Sequence, residues 1–134
     1  MLKLSPLSTS TFSAQISESK GPAVLSLSGN ADTLVLPRFS GFMKAFHSEV
    51  SEQGILEVHV DTGKLYFMTS SCLKVLVAWL TSITELDSKK RYHVVFLSNP
   101  DLHWQRRSFE ALRHIADGLV TVRPSSTSAP KLKP

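Results

Sequence analysis

The chain of 134 residues has a single cysteine and no apolar run near the roughly 20 residues that cross a bilayer. One cysteine, Cys72, excludes an internal disulfide and is typical of a reducing compartment. The N-terminus lacks an uninterrupted apolar stretch, so we read no secretory signal. With 42% apolar and 19% charged residues, the composition predicts one soluble, cytoplasmic globular domain.

The motifs of common catalytic and metal sites are missing as well. The sequence has no glycine-rich phosphate loop, no Gly-x-Ser-x-Gly elbow and no carboxylate pair at a catalytic spacing. Its histidines form no pair at close ligand spacing with each other or with the cysteine; they are His47, His59, His93, His103 and His114. We therefore expect no enzyme, no metal site and no cofactor.

Charge is low and scattered. The net charge of +4 comes from 15 basic and 11 acidic residues, and the basic ones form no stripe interleaved with aromatics. A nucleic-acid binder usually carries such a stripe. We therefore do not expect nucleic acid as a partner.

The hydrophobic pattern alternates between the periods of strands and helices. A period of two predicts a hairpin over residues 11–28, followed by a loop at 29–32. Helical spacing from Pro37 puts five residues on one buried face: Phe39, Phe42, Met43, Phe46 and Val50. Further on, the pattern predicts strands at 55–61, 92–97 and 119–122, and helices from Ser70 and over 101–117.

The predicted order β-β-α-β-α-β-α-β indicates an α/β fold, a mixed β-sheet with crossover helices. We expect Leu56, Val58 and Val60 on one buried face of their strand, and an irregular crossing over residues 62–67. We expect a flexible N-terminal segment at 1–10, one domain at 11–122, and a disordered tail at 123–134 whose composition is of low complexity.

Three consecutive hydroxyl residues stand where a strand leads into a helix. In "VDTGKLYFMTSSCLKVLVAWL", residues 60–80, Thr69 is placed to cap the helix, with Ser70 and Ser71 in its first turn. A helix N-terminus favours an anion, and a phosphate there would add about −1.5 to −2 charges. Either the cluster is simply a cap, or one of its hydroxyls is a phosphorylation site.

The helix from Ser70 has two apolar stripes. We expect the core face to be the larger one: Leu73, Leu76, Val77, Leu80 and Ile83. The second stripe consists of Cys72, Val75 and Trp79. A helix apolar on two sides is deeply buried or covers a partner, so Trp79 is either a binding anchor or packs under the first or third helix.

The junction resembles the STAS domain, which occurs in bacterial anti-sigma factor antagonists and in the cytoplasmic tails of sulfate transporters. In that family a strand aspartate precedes, by eight residues, an Asp-Ser-Ser-Gly-Leu-type turn that opens a helix. Here Asp61 precedes Thr69 by eight residues, and Thr69 falls on the family's aspartate. Ser70 falls on the phosphorylated serine, Ser71 on the second serine and Cys72 on the glycine.

Two further motifs support the resemblance, which covers roughly residues 22–122. "GNAD" at 29–32 matches the family's Gly-Glu-Leu-Asp, with Asp32 on the aspartate, and "SNPD" at 98–101 resembles its Asn-Pro turn. Thr69 and Cys72 depart from the standard turn. A turn of this kind also resembles a diverged STAS-like regulator group in which a hydroxyl is still phosphorylated.

The resemblance implies a STAS-like, non-enzymatic bacterial signalling module that binds a protein partner, such as a kinase-like anti-sigma factor. It implies phosphorylation at Ser70, or at Thr69 or Ser71. The expected partner-binding residues are Asp32, Asp61, Cys72, Val75 and Trp79. Two alternatives stay open: a scaffold or accessory subunit of a larger assembly without phosphorylation, and a nucleotide or anion binder at the Ser70 helix N-terminus. A homodimer is compatible with each.

Overall fold

The computed structural model describes residues 2–18 and 21–125, which form a six-stranded sheet and three α-helices. The sheet order follows the chain: β1 Leu7–Ser8, β2 Phe12–Glu18, β3 Ala23–Ala31, β4 Glu57–Met68, β5 His93–Ser98 and β6 Val120–Pro124. The helices are α1 Leu36–Glu52, α2 Ser70–Thr84 and α3 His103–Ile115, with a 3-10 turn at Thr33–Val35 before α1. Strands β1 to β3 pair antiparallel and β3 to β6 parallel, which confirms the mixed α/β sheet.

All three helices cover the same face of the sheet. Phe12 of β2 meets Phe39 of α1 edge to face, with ring centroids 5.5 Å apart. On the same sheet face, Phe96 of β5 stacks on Phe109 of α3 at 4.9 Å, and α2 lies against α1 between them. The five apolar residues predicted for the first helix are all buried, because their spacing of three and four keeps them on one side of α1.

Several predicted details are wrong. Leu56 is 60% exposed, because the strand begins only at Glu57 and leaves residue 56 outside the core. The predicted loop at 29–32 is strand as far as Ala31. Gly29 continues that strand at a φ of +91°, where a side chain would collide with the backbone carbonyl of Thr11.

Helix α2 also faces the core differently from the prediction. Its buried residues are Cys72, Leu76, Trp79, Leu80 and Ile83, whereas Leu73 and Val77 are only partly buried. The packing of Trp79 against Phe46 of α1, with centroids 6.0 Å apart, turns the second stripe inward. The spacing of apolar residues does not tell which stripe of α2 faces the core, and the contact with α1 determines it.

The segment predicted as an irregular crossing is the second half of β4. Pairing of β4 with β5 ends at Asp61 opposite Leu97, while pairing with β3 continues to Met68 through two register shifts. Within the described residues, the carbonyls of β4 beyond Asp61 thus have no strand partner on the β5 side. An unpaired buried carbonyl is costly, so these groups need other donors.

Side chains around the start of α3 supply those donors. Gln105 is fully buried, and its amide nitrogen donates to the carbonyls of Thr62 at 2.8 Å and Leu65 at 2.9 Å. Its amide oxygen accepts from the backbone N–H of Asn99 at 2.7 Å. The Asn99 side chain donates to the Gly63 carbonyl at 2.9 Å. The Trp104 indole donates to the Tyr66 carbonyl at 2.9 Å. We call this set of contacts the β4 edge clamp.

Strand pairing extends beyond the predicted domain limits of 11–122. Leu7 in β1 is buried and pairs opposite Ala14, and β6 ends at Pro124. The Ser125 hydroxyl donates to Asp61 Oδ1 at 2.8 Å. The rest of the predicted tail, residues 126–134, lies outside the described residues.

Replacing the clamp's glutamine by an apolar residue of similar length should destabilise the fold strongly. Gln105→Met removes the donor of the carbonyls of two buried residues and the acceptor of the part-buried N–H of Asn99. We expect a loss of about 3 kcal/mol in the free energy of unfolding. Urea unfolding measures it, with Gln15→Met on the exposed face of β2 as the control, expected to change stability by about 0.5 kcal/mol or less. Equal stability of the two variants would contradict the role of the clamp.

Candidate functional site

The carboxyl ends of β3 and β4 lie side by side and lead into the 3-10 turn and α2. Ala31 pairs with Met68, and the backbone N–H of Thr69 donates to the Ala31 carbonyl at 3.0 Å. Asp32 and Thr69, the residues that follow the two strands, therefore stand next to each other. We call residues 32–34 together with 66–71 the corner.

Thr69 is the N-cap of α2, as predicted. Its backbone is extended, and its hydroxyl accepts from the N–H of Cys72 at 3.2 Å, while its carbonyl accepts from Leu73 at 2.9 Å. The hydroxyl thus satisfies a donor that the first helical turn leaves free. Thr69 is half-buried and has a structural task.

Ser70 and Ser71 differ from Thr69, because both are exposed. Neither hydroxyl forms a hydrogen bond to any residue in the parts of the chain that the structure describes. A group added to either oxygen would therefore break no contact of the fold. The predicted sequence of strand, corner and helix with outward hydroxyls is present.

Asp32 lies at the end of β3 and stabilises that side of the corner. Its carboxylate Oδ1 accepts from the N–H of Leu34 at 3.1 Å and caps the 3-10 turn, and its carbonyl lies 3.5 Å from the Cys72 sulfur. Asp32 remains half-exposed, whereas Cys72 is fully buried. Cys72 was predicted as a partner-binding residue; its burial under Asp32 makes it a packing residue that joins α2 to the turn.

Asp61 was also expected beside the corner, and the structure separates them. Between Asp61 and Met68 the paired strand β3 advances from Ser26 to Ala31, a rise of about 16 Å over five residues. The Asp61 carboxylate accepts from the N–H of Gly63 at 2.9 Å and from Ser125. It holds the bend of β4 and the end of β6 in place.

The corner contains exposed apolar side chains that the sequence analysis did not predict. Leu34 is 89% exposed, and Tyr66 and Phe67 at the end of β4 are about half-exposed. Two adjacent aromatic residues in a strand point to opposite faces, so at least one of them had to lie outside the core. That alternation was the available signal for a surface apolar site.

Val75 and Trp79, the other predicted partner contacts, border a groove between α1 and α2. Trp79 is only 3% exposed and donates from its indole N–H to the Tyr92 hydroxyl at 2.7 Å. It therefore packs under the first helix, the second of the two predicted roles. Val75 is half-buried and lines the groove, which has a volume of about 530 Å³.

Hydrogen bonds join three side chains beside this groove. The buried Tyr92 hydroxyl accepts from the Trp79 indole and is hydrogen-bonded to Nδ1 of His47 at 2.7 Å. Burial lowers the pKa of His47 below its ordinary value of 6.5 and raises the pKa of Tyr92.

The described part of the chain has neither a cluster of metal-binding side chains nor a membrane-spanning helix. Among residues 2–18 and 21–125, no three His, Cys, Asp or Glu side chains come together as a metal site. No helix of that part has both the length and the apolar character to cross a bilayer.

Solved structures that share this architecture include two anti-sigma factor antagonists. An anti-sigma factor antagonist from Mycobacterium paratuberculosis superposes with a TM-score of 0.60 at 19% identity, covering 90% of this chain and 93% of that chain. The anti-sigma factor antagonist SpoIIAA in its unphosphorylated form gives a TM-score of 0.52 at 14% identity, covering 86% and 91%. By sequence, the chain matches no protein-family model and no curated protein. The chain thus has a STAS-like fold, that of the anti-sigma factor antagonists.

The cap and the free hydroxyl should respond differently to truncation. Thr69→Ala leaves the N–H of Cys72 without its acceptor, and we expect a loss of about 1 kcal/mol in the free energy of unfolding. Ser70→Ala removes no hydrogen bond of the fold and serves as the matched control, expected within about 0.5 kcal/mol of the wild type. Denaturant titration compares the two. A larger loss for Ser70→Ala would exclude the assigned division of roles.

The neutral His47 should make stability fall as pH falls. Since its folded-state pKa is lowered, the unfolded chain binds a proton near pH 6.5 while the folded chain does not. The contribution is therefore complete above that pH and is lost as pH falls through 6.5 toward the folded-state pKa. We expect His47→Gln to show a smaller loss of unfolding free energy between pH 7.5 and 5.5 than His114→Gln, which alters an exposed histidine. Identical pH profiles would refute the assignment.

Proposed function

We propose that the chain is a non-enzymatic bacterial regulator that binds a protein partner through the corner, and that phosphorylation of Ser70 switches this binding off. The observation that carries the proposal is an exposed, unbonded hydroxyl in the first turn of α2, on a fold shared with anti-sigma factor antagonists. A cytoplasmic location and an anti-sigma factor or similar switch protein as the partner belong to the same proposal.

The corner has the composition of a contact surface. Leu34, Tyr66 and Phe67 expose apolar area near the half-exposed carboxylate of Asp32 and the free hydroxyl of Ser70. Interfaces combine such apolar and aromatic anchors with a polar rim. A partner seated here would bury Leu34 and whichever of the two aromatic residues lies on the same side, and would contact Ser70 at the same time.

The contacts support Ser70 over Thr69 as the modified residue. Phosphorylation of Thr69 would change the oxygen that caps α2, whereas Ser70 has no structural bond to lose. Ser71 is also exposed, but it lines the groove between α1 and α2 and so lies toward another surface. A kinase can reach Ser70 without disturbing the helix.

The effect of the phosphate follows from desolvation and charge. The helix N-terminus would stabilise a phosphate on the free chain, because its N–H groups and dipole favour an anion. In a complex, the same group would have to lose its water beside the Asp32 carboxylate. A buried charge without a partner costs several kcal/mol of binding free energy, enough to abolish a micromolar complex.

The matched serine variants test the switch. We expect Ser70→Asp to weaken capture of the partner at least tenfold and Ser70→Ala to preserve it, because only the former places charge at the contact. Ser88→Asp, with the same charge change in the exposed turn beyond the other end of α2, is the control and should bind normally. Tagged variants are expressed in the native cell, the partner is identified by quantitative mass spectrometry, and affinities are measured with the purified pair.

Phosphopeptide analysis of residues 69–71 separates the switch from the scaffold. A partner bound equally by Ser70→Asp and Ser70→Ala, with no phosphate on the native protein, would replace the switch with the alternative of a scaffold or accessory subunit. Loss of binding in Leu34→Ser without any response to Ser70→Asp would keep the surface and exclude the phosphorylation.

A further inference from the structure

The groove between α1 and α2 is a concave surface that the proposed binding at the corner does not use. Its volume of about 530 Å³ lies within the range of small-molecule sites. It lies between two helices that pack on the same face of the sheet. Its α1 wall is lined by Ser40, Met43, Lys44, His47 and Ser48, and its α2 wall by Ser71, Lys74, Val75, Ala78, Trp79 and Ser82.

The floor of the groove is apolar and rigid. Met43 and Trp79 are nearly fully buried, and Val75 and Ala78 complete the surface. Trp79 is held by its hydrogen bond to Tyr92 and by its contact with Phe46, so its ring cannot swing away to close the space. A hydrocarbon or aromatic body could lie on this floor with little reorganisation of the protein.

The rim of the groove is cationic. Lys44 on α1 and Lys74 on α2 are exposed and both line the groove. No carboxylate lines it, and neither lysine forms an ion pair within residues 2–18 and 21–125. Four serine hydroxyls, of residues 40, 48, 71 and 82, add hydrogen-bonding capacity. Two free ammonium groups above an apolar floor match a ligand with one anionic end.

We propose that this groove binds a small amphiphilic anion, with its apolar body on Trp79 and its carboxylate, or an equivalent acid, between Lys44 and Lys74. The side chains of residues 124–134 have the wrong charge for this site, since they include Lys131 and Lys133 and no acidic residue. The proposal is independent of phosphorylation of Ser70, since it rests on Lys44, Lys74 and Trp79.

Octanoate and its neutral analogue 1-octanol serve as probes. The chain has two tryptophans, so Trp104→Phe leaves Trp79 as the sole tryptophan, whose emission is excited selectively over that of tyrosine. We expect octanoate to change its emission saturably, with half-saturation below roughly 1 mM, a range that an efficient ligand of this size reaches. Thermal unfolding first confirms that the Trp104→Phe protein is folded.

Charge and space are then tested separately in that background. The double variant Lys44→Gln/Lys74→Gln should bind octanoate about tenfold more weakly, while its affinity for 1-octanol should change by no more than about twofold. Only the acid forms charge-assisted contacts with the lysines. Lys64→Gln with Lys90→Gln, two exposed lysines outside the groove, is the charge control. Ala78→Phe should fill the groove and abolish binding of both probes, whereas Ala111→Phe on the exposed face of α3 should not.

Four results would overturn the proposal. They are an unsaturable response of the reporter protein, equal octanoate affinity in the two lysine pairs, unchanged binding in Ala78→Phe, and a Trp79 emission that depends on protein concentration but not on octanoate. The last result, combined with a dimer in sedimentation that Ala78→Phe removes, would assign the groove to a second copy of the chain.

Discussion

The buried amide of Gln105 is the contact on which the arrangement of the candidate site depends. Strand β4 is twelve residues long, but β5 pairs with only its first five. Beyond that point, four carbonyls of β4 would face the start of α3 without donors, and the β4 edge clamp supplies them from Gln105, Asn99 and Trp104. Because the clamp takes the place of a neighbouring strand on that side, β4 can extend beyond the end of β5 and still remain ordered.

The position of the corner follows from that extension. Beyond Asp61, β4 continues beside β3 until Met68 pairs with Ala31. The start of α2 therefore lies at the end of β3, and Thr69 lies next to Asp32. The clamp also fixes α3, since Gln105 and Trp104 lie in its first turn. The β4 edge clamp thus joins α3 to β4, the strand that leads into the hydroxyl residues at the start of α2. None of the side chains of the clamp belongs to the corner.

Sequence patterns predicted the fold and much of the corner, and their failures have common physical causes. Spacing was sufficient for α1, which has one apolar face, and for the Thr69 cap, which is a local contact. It failed for α2, because a helix apolar on two sides is oriented only by its neighbours, here Phe46 and Tyr92. It also failed for Gln105, since nothing in a single glutamine shows that it will be buried. Asp61 was misplaced because the residues after it continue as strand, which takes the chain away from it.

The separation of the cap from the free serine has an evolutionary consequence. Folding constrains Thr69 through the hydrogen bond at the start of α2, but no structural bond constrains residue 70. Under the proposed function, recognition is the main constraint on the side chain at residue 70, so natural variation there would be expected to follow the partner. A lineage that inherits this scaffold could then gain or lose the proposed control through one substitution, without loss of the helix cap.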